Sequence, residues 1–142
     1  MSFIWDKISF DKKIYSQIFE TKFENLKPVQ SFITANLHQS NEVTKLNIIV
    51  EELFVNVVNY AYIDKIGMIK VSYFFTDDAI HILMEDQGVQ FNPLHRSEEE
   101  ALEKVKSMTP GGLGIFMVKK YADALEYAYT KKTNRLYIKK CI

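Results

Sequence analysis

Apolar residues at Phe23, Leu26, Val29, Phe32 and Ile33 recur at helical spacing, which predicts a helix from about Lys22 to His38 with Pro28 in its first turns. A short strand is expected before it, from Lys13 to Glu20, where Ile14 and Ile18 share a parity. A second helix follows, with Asn41 as its cap and the stretch EELFVNVVNYAY, residues 51–62, in its C-terminal half. Ile63 to Gly67 turns the chain. Ile69, Val71, Tyr73 and Phe75 then alternate with Lys70 and Ser72, which predicts a strand with one buried face. Thr76-Asp77-Asp78 makes a hairpin turn into a strand from Ala79 to Glu85. Leu94 to Pro110 is polar, with a short helix expected from Ser97 to Lys106; such a segment within a small domain points to a functional lid. GGLG at 111–114 opens a third helix to about Tyr121, and strands Leu125–Thr130 and Arg135–Lys140 close the chain. Hairpin-linked strands with grouped helices predict an α+β fold, a two-layer α/β sandwich whose mostly antiparallel mixed sheet is covered on one face by helices.

Bulk composition narrows the partners. The 142 residues favour one domain, 1–142; 47% are hydrophobic and 25% charged, as in soluble globular proteins. Lys+Arg and Asp+Glu balance at 18 each, which argues against direct nucleic acid or a membrane surface as the main partner. A lone cysteine, Cys141, and the lack of a long apolar run or signal peptide lead to a cytoplasmic expectation.

Three clusters carry candidate chemistry. At about 100° per residue, Glu52, Asn56 and Asn59 share an arc of roughly 60° on a helix whose opposite side is Leu46, Val50, Leu53, Phe54, Val57 and Ala61. Either the three satisfy one another, or they line a pocket that holds something polar. Asn56 offers an amide oxygen suited to Mg²⁺, and Glu52 a carboxylate suited to general-base work. Asp86 shares the parity of Ile80, Ile82 and Met84, so its carboxylate should point into the helix layer; Asp-x-Gly is also a common turn. The glycines Gly111, Gly112 and Gly114, around Leu113, expose backbone N–H groups at a helix start, as a phosphate site or a plain helix entry would. His81, of the same parity as Leu83, is expected to be a partly exposed strand residue, and no histidine pair has metal-ligand spacing.

Taken in order, Glu52-x-x-x-Asn56, Asp86-x-Gly88 at a strand end and Gly112-x-Gly114 opening a helix resemble the GHKL ATPases. That superfamily includes gyrase, heat-shock chaperone ATPases and sensor histidine kinases. EELFVNVVNYAY, DQGVQFNP and GGLGIFMVKKYAD are most similar to its anti-sigma-factor serine kinases, over about residues 10 to 140. The resemblance implies the GHKL fold, with ATP and Mg²⁺ as cofactors and residues 94–110 as an ATP lid. Asn56 would hold the metal, Asn59 would be among the nucleotide-binding residues, and Glu52 would be the catalytic base. Asp86 would accept from the adenine amino group, with Gly88 and Phe91 walling the base. The glycine loop, Leu113 included, would close on the phosphates. The implied reaction is phosphorylation of a serine on a small anti-sigma-factor antagonist. Partner switching with a sigma factor and a homodimeric state are implied as well.

Departures from the family pattern leave an alternative, a nucleotide-dependent binding module without transfer. Tyr60 stands where members often carry His. Thr109-Pro110 precedes the glycine loop where kinases place an Arg, and phosphoryl transfer depends on cationic stabilisation, which Lys104 or Lys106 would have to supply. Thr133-Asn134 replaces the usual Gly-Thr, so the resemblance puts Asn134 at the adenine side with its contact open.

Overall fold

A computed structural model describes residues 2–95 and 112–142. Five strands form one sheet in the order β1-β2-β3-β5-β4, where β1 is Tyr15–Glu20, β2 Met68–Phe75, β3 Ala79–Asp86, β4 Ala124–Thr130 and β5 Thr133–Cys141. Every pairing among the described residues is antiparallel. Three helices, α2 (Leu26–Thr34), α3 (Asn41–Tyr60) and α4 (Gly112–Tyr121), share one core with the inward faces of the strands. The expected α+β sandwich is thus the observed fold, with the sheet antiparallel throughout.

Asp86 ends the central strand β3 and lies directly across from Asn134 on β5. The β4–β5 connection is a two-residue hairpin, Lys131-Lys132, with φ of 52° and 60°. Two left-handed residues in succession form the turn whose twist matches paired strands, and they set the register that puts Asn134 opposite Asp86.

Several expectations are corrected. The helix foreseen over Lys22 to His38 is shorter: one 3₁₀ turn at Phe23–Asn25 leads into α2, which stops at Thr34. Ser40, not Asn41, caps α3, its Oγ accepting from the Val43 N–H at 3.2 Å. The first strand begins at Tyr15 rather than Lys13; its inward residues are Tyr15 and Phe19, opposite Tyr73 and Ile69, and Ile18 shares the exposed parity of Ile14 just before the strand.

The largest difference lies behind the sheet. A short helix, α1 (Ile4–Ile8), packs there, and Phe3 and Trp5 form a second apolar cluster with Phe74, Leu83 and Tyr137. Arg135 anchors α1 by donating to both Asp6 oxygens, at 3.0 and 2.9 Å. The strand β2 is therefore buried on both faces over Val71–Phe74, contrary to the one-faced expectation. His81 is buried as well, stacked on the Phe74 ring and hydrogen-bonded to Tyr137 Oη and Thr76 Oγ1, each at 2.8 Å. Burial pushes its pKa down.

Candidate functional site

The helix α3 presents its apolar side, Leu46, Val50, Leu53 and Phe54, to the core. That orientation turns Glu52 and Asn56 toward the edge of the helix layer, where both are half-buried, while Asn59 is exposed. Among the described residues, none of these three side chains makes a hydrogen bond. The three therefore do not satisfy one another, and of them Asn56 lines a cleft.

The cleft lies between α3 and the ends of the central strands. Asn56 and Asp86 open onto the same cleft, walled by Leu53, Met84, Phe91 and Leu136. A mostly apolar lining with a few convergent polar groups is the usual chemical make-up of a small-molecule site. Glu52 and Asn59 are not among its lining residues. Glu52 instead abuts the start of α4: a β-carbon built at Gly114 would fall on its carboxylate. The glycine that the sequence placed at a helix entry thus leaves room for the carboxylate, and a side chain there would have to displace it. Burial, with help from Glu51, raises the Glu52 pKa.

Asp86 is only 7% exposed. Its Oδ1 accepts from the Gly88 N–H at 2.9 Å and from Asn134 Nδ2 at 3.0 Å. No hydrogen bond among the described residues uses Oδ2. Burial raises the Asp86 pKa, and the two donors only partly offset it. Gly88 is not among the cleft's lining residues; a β-carbon there would collide with the Ala61 backbone carbonyl. Val89 N–H donates to that carbonyl at 2.7 Å, so the loop after β3 lies directly on the end of α3. The Phe91 ring stands 5.5 Å from Tyr60 at the mouth.

The structure brings Asn56, Asp86, Phe91 and Asn134 together around one hollow. Gly112 begins α4. The Gly111 expectation, the lid from residue 96 onward, its Ser97–Lys106 helix, Lys104, Lys106 and Thr109-Pro110 lie outside the described residues. Tyr127, which the sequence did not single out, lines the cleft too: it pairs with Leu136, which faces the helix layer.

A bound divalent ion is testable on the donor set. Asn56 supplies a neutral oxygen donor at the cleft, and among the described residues no three His, Cys, Asp or Glu side chains gather as a metal-holding group. This suits Mg²⁺, which takes one or two protein oxygens alongside phosphates and water.

Comparison with known proteins agrees with the geometry. A family model described as a histidine kinase-like ATPase domain matches residues 19–140. Serine-protein kinase RsbW of Staphylococcus epidermidis is 30% identical over 89 residues, 58% of this chain and 56% of that protein. RsbW of Halalkalibacterium halodurans is 28% identical over 90 residues, covering 61% and 55%, and that of Listeria innocua 29% over 92 residues, covering 61% and 59%. The aligned part spans a little over half the length of each of these relatives. No helix of the described residues is long and apolar enough to cross a membrane.

Proposed function

Because this chain belongs to the histidine kinase-like ATPase domain family, we propose that it binds ATP with Mg²⁺ in the cleft and phosphorylates a serine of a small anti-sigma-factor antagonist. It regulates transcription by exchanging that antagonist for a sigma factor, and it acts as a homodimer in the cytoplasm. The carrying observation is that Asn56 and Asp86, thirty residues apart in sequence, open onto one cleft with polar atoms that nothing among the described residues satisfies.

Each side chain has a task in this reading. Asp86 Oδ2 accepts from the exocyclic amino group of adenine, and Phe91 covers the base. Asn56 directs its amide oxygen to Mg²⁺, whose charge offsets that of the phosphates. Gly112 and Gly114 bring the N-terminus of α4 to the phosphate side, where backbone N–H groups and the helix dipole favour negative charge. Glu52 takes the serine proton as the hydroxyl oxygen bonds to the terminal phosphorus and the bond to the bridging oxygen breaks, releasing ADP. A carboxylate with a raised pKa holds that proton better than an ordinary glutamate.

A second reading, nucleotide-dependent partner binding without transfer, is favoured by one observation. Thr109-Pro110 stands before the glycine loop where a cation would stabilise the transferring group. One experiment separates the two. Incubation with labelled ATP, Mg²⁺ and a candidate antagonist should yield phosphoserine with the wild type. Glu52→Ala should bind ATP but yield none. If the wild type binds ATP without forming phosphoserine, the binding module is the correct reading.

A further inference from the structure

Asn134 is 6% exposed and sits where the resemblance would have a group touching the base. Its hydrogen bonds say otherwise. Nδ2 donates to Asp86 Oδ1 at 3.0 Å and to the Val89 carbonyl at 2.9 Å. Its Oδ1 accepts from the Phe91 N–H at 3.1 Å and from the Tyr127 hydroxyl. A backbone N–H can only donate and a carbonyl can only accept, so these partners fix which end of the amide is which. A carboxamide has two donor hydrogens and two acceptor lone pairs. All four are used within the protein, and a contact to ligand would have to break one of them.

We infer that Asn134, braced by Tyr127, is a positioning residue that holds Asp86 and the 88–91 loop in binding geometry and itself makes no hydrogen bond to the nucleotide. The inference rests on the nucleotide reading of the cleft, but its structural half stands without ligand. With Oδ1 of Asp86 occupied by two donors, the carboxylate cannot rotate without losing both, and Oδ2 is left as its recognition atom. The same amide holds the Phe91 backbone, so the base-reading oxygen and the covering ring are set by one side chain. The Phe91 N–H and the Val89 carbonyl keep Asn134 from turning over, since a flipped amide would set NH₂ against a donor and its oxygen against an acceptor; the Tyr127 hydroxyl braces the same oxygen with a further bond. In place of the family's usual threonine, this chain therefore builds a preorganised floor from a carboxamide and a phenol on adjacent strands.

The test has a ligand-free arm and a ligand arm on the full chain, with Asn134→Ala and the milder Tyr127→Phe, which keeps the ring. In the ligand-free protein, carbon-detected NMR titration of Asp86 should show its pKa moving up in Asn134→Ala, since a donor that lowers it is gone. Hydrogen exchange at the Phe91 amide should accelerate about tenfold for the loss of a buried acceptor. Calorimetry should show ATP binding weakened about tenfold in Asn134→Ala and about fivefold in Tyr127→Phe. The preference for ATP over inosine triphosphate, which carries a carbonyl in place of the amino group, should narrow in the same order. A residue needed only for stability would lower the melting temperature and leave that preference, the Asp86 pKa and the Phe91 exchange as in the wild type; this result overturns the inference. If the ligand-free changes appear but the wild type binds no ATP, the positioning role stands and the nucleotide reading fails.

Discussion

Replacing Asp86 with Asn isolates one oxygen of the proposed base site. The amide retains Oδ1, so the hydrogen bonds from Gly88 N–H at 2.9 Å and Asn134 Nδ2 at 3.0 Å are kept. What changes is Oδ2, which becomes an NH₂ facing the amino group it would have accepted from. A hydrogen bond to a charged acceptor contributes about 1.5–3 kcal/mol, which corresponds to an affinity loss of roughly 10- to 150-fold. The folded protein should not suffer comparably. Burial raises the Asp86 pKa in spite of its two donors, so the native state holds this proton more tightly than the unfolded chain does. Across the window between the two pKa values, stability therefore falls as pH rises, and the carboxylate is a net cost at neutral pH. The Asn variant removes that cost. Calorimetric titration with ATP and Mg²⁺ should show the affinity loss, and thermal melting of the ligand-free variant at pH 7 should lie at or above the wild type. Affinity within twofold of the wild type would refute Asp86 as the base-reading group. A melting point several degrees lower would show that its charge is structural instead.

Other perturbations test separate parts of the site. Wild-type ATP affinity should fall on acidification as Asp86 protonates, beginning at a less acidic pH than for an ordinary aspartate; Asp86→Asn, titrated in parallel, should lack this component. Gly114→Ala puts a methyl group onto the Glu52 carboxylate, and misplacing a reacting group by about 1 Å can cost on the order of 100-fold, so phosphoserine formation should drop far more than ATP binding does. Ser40→Ala removes the α3 cap and should cost about 1 kcal/mol, read as a melting temperature lower by roughly 3 °C with nucleotide affinity unchanged.

The sequence was most legible where periodicity was long. The β2–β3 hairpin, the helix carrying Glu52 and Asn56, and the inward parity of Asp86 all follow from spacing alone. The errors lie where a few residues had to decide. On the edge strand β1 the expected start, Lys13, came two residues early, and with apolar side chains on both faces only the register with β2 assigns the inward face to Tyr15 and Phe19. Five residues of α1 carry too little pattern to predict, yet they bury the second face of the sheet and with it His81. Ser40 and Asn41 are both good cap residues, and only backbone geometry chooses between them. The work of Asn134 was illegible because its partners Asp86, Val89 and Phe91 lie 48, 45 and 43 residues away. A cross-strand register, once known, makes that work plain.

The most direct test is an amide-resolved NMR titration of the full chain with ATP and Mg²⁺. The side-chain amide of Asn56 and the backbone amides of Gly88 and Phe91 should shift along one shared binding curve. Absence of shifts, or shifts on one side of the cleft alone, would contradict a single nucleotide held between α3 and the end of β3.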